Sequence, residues 1–328
     1  MKAIAMLSGG LDSELSIRII HKQGIEIIAL NFSSPFCLCN KKGGCQFEAY
    51  RVAKNLNIEL KVIKLTDEYL EIVKNPKYGY GKNMNPCIDC RILMFKYAKK
   101  MMEELNAGFL ITGEVLGQRP KSQHLKALQI IEKESNLERL IVRPLSAKVL
   151  PITIPEEKGW IDREKLFAIT GRQRKEQIKL AGNFDMKDYP CPSGGCLLTD
   201  KEFSKKICDL IKHIGDLKLR DVNLLKIGRH FRLSKNFKII IGRNKEENEK
   251  ILDIQKEKDY IILMPEEVKG PVGLGIGCFE DNELNKFTDI LATYCDGDSE
   301  EIKIIDITNQ RKIIGKRLKK EELEKYRI

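Results

Sequence analysis

The sequence predicts an α/β fold: a doubly wound, parallel five-stranded sheet followed by a second, smaller α+β domain. Three observations predict it. Short apolar runs alternate with helical patterns through the first half. Those runs are unbroken by regular polar alternation, as strands covered on both faces require. Beyond a turn-rich segment, Tyr189–Asp200, that regular alternation ends. With 328 residues and 42% hydrophobic composition, the chain is long enough for two domains with separate cores. They are expected at 1–205 and 206–328.

The elements follow in order. Ala3–Leu7 reads as the first strand, and Asp12–Lys22 as a helix with Leu15, Ile19 and Ile20 on one face and Gly24 as its stop. Ile25–Phe32 and Leu60–Leu65 are the next strands, with a periodic helix at Phe47–Leu56 between them. A long helix follows Cys87–Cys90 and runs to about Leu105. Strand Phe109–Thr112, helix Ser122–Lys133 and strand Leu140–Arg143 complete the sheet, and Arg172–Leu180 resumes a helix. In the second half, strands are expected near Phe237–Arg243, Tyr260–Met264 and Ile302–Ile307. Helices are expected near Glu246–Gln255, Glu283–Tyr294 and in the basic tail Lys316–Lys325. Ligands of such parallel sheets bind beyond the carboxyl ends of the strands.

Charge narrows the function. Lys and Arg number 58 against 47 Asp and Glu, a balance of +11, which favours a polyanionic partner such as a nucleic acid. No apolar stretch approaches the ~20 residues that cross a bilayer. The opening MKAIAMLSGG reads as a strand and turn rather than a signal peptide. A cytoplasmic protein with no membrane partner is the expectation. Ten cysteines are then many for a reducing compartment, and clusters of them point to metal or sulfur chemistry rather than disulfides. Cys208, Cys278 and Cys295 lie among apolar neighbours and read as small core residues.

Ser8, Gly9, Gly10, Leu11, Asp12 and Ser13 lie between the first strand and first helix. Glycines let backbone N–H groups approach phosphate oxygens, and the helix N-terminus adds its positive end. Asp12 repels a phosphate, so its expected partner is Mg²⁺ or a nearby cation. The pattern is not GxxxxGK[ST], which disfavours γ-phosphate transfer. It resembles the SGGxDS loop of the PP-loop ATP pyrophosphatases. The resemblance implies ATP cleaved between its α- and β-phosphates, with the substrate adenylated. In that family adenine contacts follow the second strand, here at Asn31. Gly113 and Gln118 follow the fourth strand. The stretches TGEVLGQ and SQHLKALQII, then IVRPL, are similar to the catalytic domain of tRNA 4-thiouridine synthetases over roughly Met1–Arg143.

Cys87-Ile-Asp-Cys90 opens a helix, where the dipole is expected to lower thiol pKa values. A third cysteine, Cys196, resembles the later catalytic cysteine of tRNA 2-thiouridylases, and Cys191 is its alternative. A CxxC plus one distant cysteine also resembles the [4Fe–4S] ligand set of cluster-dependent tRNA thiolases, which leaves one iron open for sulfur. A metal-free persulfide route and a structural metal are the alternatives. Cys37, Cys39 and Cys45 suggest a second metal site, with an unliganded trio the competing reading.

The stretches GRHFRLS at 228–234 and FKIIIGRN at 237–244, then Glu247-Asn248-Glu249, resemble the RNA-binding domain of NFACT proteins. The resemblance implies phosphate contacts from Arg229, Arg232, Arg243 and Lys245. Together these features predict an ATP-dependent tRNA sulfurtransferase. A uridine carbonyl is adenylated and then thiolated, with Asp12, Cys87, Cys90 and Cys196 as catalytic residues and sulfide or a persulfide carrier as donor. A PP-loop enzyme acting on a small metabolite, and an RNA-binding protein with a vestigial nucleotide fold, are the rival readings.

Overall fold

The computed structural model describes residues 1–37, 45–186, 196–254 and 260–328. It divides the chain into two compact units, Met1–Asp200 and Lys201–Ile328. In the first unit the chain runs β1 (Lys2–Met6), α1 (Leu11–His21), β2 (Glu26–Ser33), α2 (Cys45–Leu56), β3 (Glu59–Lys64), α3 (Asp67–Lys74) and α4 (Cys87–Glu104). It continues with β4 (Phe109–Thr112), α5 (Leu125–Glu134), β5 (Ile141–Val142), α6 (Ile154–Glu157) and α7 (Lys175–Asn183). The strands form one sheet in the order β3-β2-β1-β4-β5, all parallel.

Period-two alternation along β1 explains why its apolar run is continuous. Ala3, Ala5 and Leu7 face one core, with residues of α1 and α2. Ile4 and Met6 face the other, with Ile88, Ile92, Phe95 and Ala98 of α4 and Ala127 and Ile131 of α5. Both faces are covered, so every position from Ala3 to Leu7 is apolar. The parallel arrangement also puts the carboxyl ends of β1, β2 and β4 on one edge.

The predicted strands and helices of this unit are present, with small shifts. The helix expected from Ser122 begins at Leu125 because the His124 ring accepts the Ala127 N–H at 3.2 Å and caps it. The Cys87–Cys90 pair forms the first turn of α4 itself. Helix α3 was not expected; its eight residues give too short an apolar period to read.

The second unit contains α8 (Lys201–Ile214), α9 (Leu219–Leu224), β6 (Arg229–Arg232), β7 (Phe237–Ile241), α10 (Lys245–Leu252), β8 (Tyr260–Pro265) and β9 (Gly273–Gly277). Then come α11 (Asp281–Thr293), β10 (Glu301–Asp306), β11 (Arg311–Lys316) and α12 (Lys320–Glu324). Its sheet is antiparallel, in the order β11-β10-β8-β9-β7-β6. Three predicted strands and two predicted helices are found, although Gln255, the expected helix end, lies outside the described residues. The tail expected to be wholly helical begins as the end of β11. Two of the three cysteines read as core are exposed: Cys208 and Cys278 face solvent and Cys295 is buried. Apolar neighbours in sequence do not say which face of an element is covered.

Strand β9 was hidden by its glycines, GLGIG, which sequence rules depress in strands. They are there for space. A Cβ on Gly273 would meet the Phe287 ring at 2.7 Å, and one on Gly275 would meet Ile261 at 2.5 Å and Phe237 at 2.8 Å. Gly275→Ala should therefore destabilise this unit by about 1–3 kcal/mol, the usual cost of overpacking a core. Urea unfolding of the wild type and variant reads the difference.

Candidate active site

The loop after β1 is a tight, internally bonded turn. Gly9 has φ of 77°. The Ser13 hydroxyl donates to the Gly10 carbonyl at 2.7 Å and lies 3.1 Å from the Ser8 hydroxyl. Gly10 stands at the N-cap of α1 with no side chain over the helix end, so the first N–H groups of α1 are left for a ligand.

Gly113, at the end of β4, lies flat against this turn. A Cβ there would stand 2.5 Å from the Ser13 nitrogen and 2.6 Å from the Asp12 carbonyl carbon. From the same connection, Gln118 Nε2 donates to Asp12 Oδ2 at 3.0 Å. The other oxygen, Asp12 Oδ1, is buried without a hydrogen-bond partner. An orphaned anionic oxygen beside a phosphate turn suits a divalent cation, so the residues present fit Mg²⁺. Asn31, at the end of β2, is buried; its amide donates to the Leu7 carbonyl at 2.8 Å and its Oδ1 is likewise unpartnered. Six predicted loop residues, Asn31, Gly113 and Gln118 thus converge on one edge of the sheet.

The thiols stand beside that edge. Cys87 and Cys90 are in the first turn of α4, and Cys196 lies within electrostatic reach of both. A fourth thiol joins them. Cys37 pairs with Cys196 in an antiparallel bridge, and it acts on Cys90 as well. Cys37 had been grouped in sequence with Cys39 and Cys45. Cys39, Cys191 and the side chain of Cys45 lie outside the described residues. Tyr69 of α3, almost fully buried, donates its hydroxyl to Cys90 and packs edge-on against Phe36 at 5.8 Å.

The expected lowering of thiol pKa at the start of α4 is overturned. Burial dominates: it pushes Cys90 up to about 11 and Cys196 to about 12, and raises Cys87 despite Arg119, Arg91 and Lys121 nearby. Desolvation of a thiolate costs more than one helix terminus returns. Among the described residues no three His, Cys, Asp or Glu side chains are closed around a metal position. The donor set is nevertheless the right kind for a thiophilic centre: neighbouring soft thiols, kept protonated by burial, whose protons a metal would displace.

Two groups absent from the predicted site connect its halves. Glu114, buried at the end of β4, pairs with Arg143 at 3.1 Å and with Arg91 of α4 at 3.4 Å. Arg119 is exposed, and its guanidinium lies within electrostatic reach of Arg91, Cys87, Glu114 and Asp12. The stretch following β4 carried both in sequence, but nothing in the spacing pointed their charges at Cys87.

In the second unit the predicted basic residues diverge. Arg232 is committed to Asp209 at 2.6 and 3.0 Å, and Arg243 is paired with Glu247. Arg229 lies over the Tyr294 ring at 4.6 Å, and Lys245 projects into solvent, 3.8 Å from Glu249.

A parallel sheet with a serine–glycine phosphate turn after its first strand defines a PP-loop nucleotide domain. The family model described as thiamine biosynthesis protein (ThiI) matches residues 1–149, and that described as NFACT protein RNA binding domain matches residues 228–327. These two matches fall on the stretches that carried the sequence resemblances. Among curated proteins, a probable tRNA sulfurtransferase of Lysinibacillus sphaericus is 33% identical over 162 residues, 48% of this chain and 38% of that protein. The tRNA-specific 2-thiouridylase MnmA of Leptospira interrogans is 34% identical over 101 residues, 27% of each chain. The chain spans well under half the length of these relatives. Among solved structures, the U34-tRNA thiolase NcsA from Methanococcus maripaludis with its [4Fe-4S] cluster matches 69% of this chain and 71% of its own. The identity is 21% and the TM-score 0.35.

The thiol environment has a pH signature in metal-free protein. Cys90 and Cys196 are raised above their usual 9.0, so the folded chain keeps protons that the unfolded chain loses. Their contribution to stability is full below about pH 9 and is lost as pH rises through about 11 to 12. Thermal unfolding should show an alkaline decline that Cys196→Ser makes shallower. At pH 8, iodoacetamide should label Cys196 roughly a hundredfold more slowly than the exposed Cys278, read by peptide mass.

Proposed function

We propose that the protein is an ATP-dependent tRNA sulfurtransferase that adenylates a uridine carbonyl and replaces its oxygen with sulfur. The observation that carries this reading is Arg119: one guanidinium interacts with Asp12 of the phosphate turn and with Cys87 of the thiol group. In this reading nucleotide activation and sulfur delivery share a site.

In this reading the N–H groups at the start of α1, with Ser8 and Ser13, grip the departing pyrophosphate. Asp12, oriented by Gln118, would hold Mg²⁺, which when bound would offset the charge of the phosphates. Asn31 would meet the adenine. The uridine oxygen attacks the α-phosphorus, pyrophosphate leaves, and the carbon becomes electrophilic. Arg119 and Arg91 hold positive charge beside the developing anions and the thiols. Cys87, Cys90 and Cys196 would hold a [4Fe–4S] cluster, which when bound would supply an iron open to sulfur. Hydrosulfide from a sulfide donor adds to the carbon beside these cysteines and AMP departs. From a persulfide carrier the persulfide adds, and a second thiol then attacks its inner sulfur to free the product and leave a disulfide. The base must leave its stack to reach this edge. Lys245 and Arg229 of the second unit would contact RNA phosphates, and the cytoplasm would be the place of action.

Asp12→Ala should reduce pyrophosphate release at least a hundredfold while leaving tRNA affinity within about twofold, since the side chain acts on the nucleotide. Retention of full thiolation would remove the loop assignment. Lys245→Glu should weaken tRNA binding and reduce the slope of log K against log salt by about one. Protein purified without oxygen should carry about four irons, and Cys87→Ala, Cys90→Ala or Cys196→Ala should each lower iron and activity together. Iron-free wild type that thiolates tRNA at full rate would decide for the persulfide route.

A further inference from the structure

We propose that Cys37 and Cys196 are partner thiols that close to a reversible cross-strand disulfide. The two residues face each other in an antiparallel bridge. The hydrogen bond beside them, from Leu197 N–H to the Phe36 carbonyl at 2.9 Å, makes this a pair that does not exchange its own hydrogen bonds. Facing residues in such pairs have Cα atoms about 4.5 Å apart and side chains drawn close. A disulfide needs Cα atoms about 4.4–6.8 Å apart, so the backbone already meets its requirement.

Both sides of the pair are held. Phe36 is fully buried and packs on Tyr69, which anchors the segment bearing Cys37. Beyond Cys196, the Leu198 carbonyl accepts from Met84 N–H at 3.1 Å and the Thr199 carbonyl from Asn83 at 2.8 Å. The Cys37 sulfur accepts the Ser34 N–H at 3.2 Å, which orients it, and the residue is partly exposed. A small oxidant can reach it.

The oxidant is a low-molecular-weight disulfide. The Cys37 thiolate attacks one of its sulfurs, forming a mixed disulfide and releasing one thiolate. The Cys196 thiolate then attacks the Cys37 sulfur and the second thiolate leaves. Two cysteine thiols are oxidised, one disulfide is reduced to two thiols, and the protons lost by the cysteines are taken up by them. A dithiol reverses the sequence. Closure withdraws Cys196 from sulfur transfer, a consequence that rests on the role proposed for Cys196 above.

The test uses full-length, metal-free protein incubated with glutathione disulfide, alkylated, digested and examined by mass spectrometry. Fragment ions separate Cys37 from Cys39 and Cys196 from Cys191. The expected result is a Cys37–Cys196 linked peptide that dithiothreitol removes, that Cys37→Ser abolishes and that Cys90→Ser retains. A link between Cys87 and Cys90, or any link that leaves Cys37 alkylated, overturns the proposal. Linked protein that still thiolated tRNA at full rate would leave the disulfide standing and remove Cys196 from the proposed chemistry.

Discussion

The site depends on one close approach. The end of β4 lies against the turn between β1 and α1 so tightly that a single methyl group on Gly113 would collide with the Ser13 nitrogen. Because β1 and β4 are adjacent and parallel, their carboxyl ends must meet at one edge. Glycine at 113 lets that meeting be a contact rather than a gap. The approach brings the segment after β4 over the phosphate turn. It places Gln118 on Asp12, Glu114 against Arg91 and Arg143, and Arg119 within electrostatic reach of Asp12 and Cys87. A side chain at 113 would push the end of β4 away from the Ser8–Ser13 turn.

Around the thiols, two opposing effects meet, and their size decides the outcome. The first turn of α4 offers a positive terminus and three basic groups lie near Cys87, all favouring thiolate. Burial opposes them and wins at Cys87, Cys90 and Cys196. These are not free nucleophiles waiting at a surface. They are stored protonated in a low-dielectric setting, and something must remove the proton, such as a metal or an approaching charge. The same desolvation that makes them inert alone would make them strong ligands once deprotonated.

Much of the fold was legible before any coordinates. Unbroken apolar runs such as Ile4–Met6 and Ile27–Leu30 announced doubly covered parallel strands, and Ser8–Ser13 announced a phosphate turn. The less legible parts share a cause. GLGIG reads against strand because its glycines answer to Phe287, Ile261 and Phe237, which are distant in sequence. Cys208 and Cys278 looked like core residues because apolar neighbours do not reveal which face is covered. Arg232 looked available for RNA but is held by Asp209, which sits on the preceding helix α8.

Sequence alone determined the local devices: the glycine turn, the CxxC at a helix start, the period of each strand and helix, and the basic balance. These follow from residue type and spacing within a few positions, where backbone sterics and hydrophobic periodicity act. Tertiary structure decided which devices share a site. It brought Cys37 against Cys196, put Arg119 within electrostatic reach of both Asp12 and Cys87, and reversed the expected direction of the thiol pKa values. Burial and charge are sums over every neighbouring group, and those neighbours are chosen by the packing of the sheet rather than by adjacency in the chain.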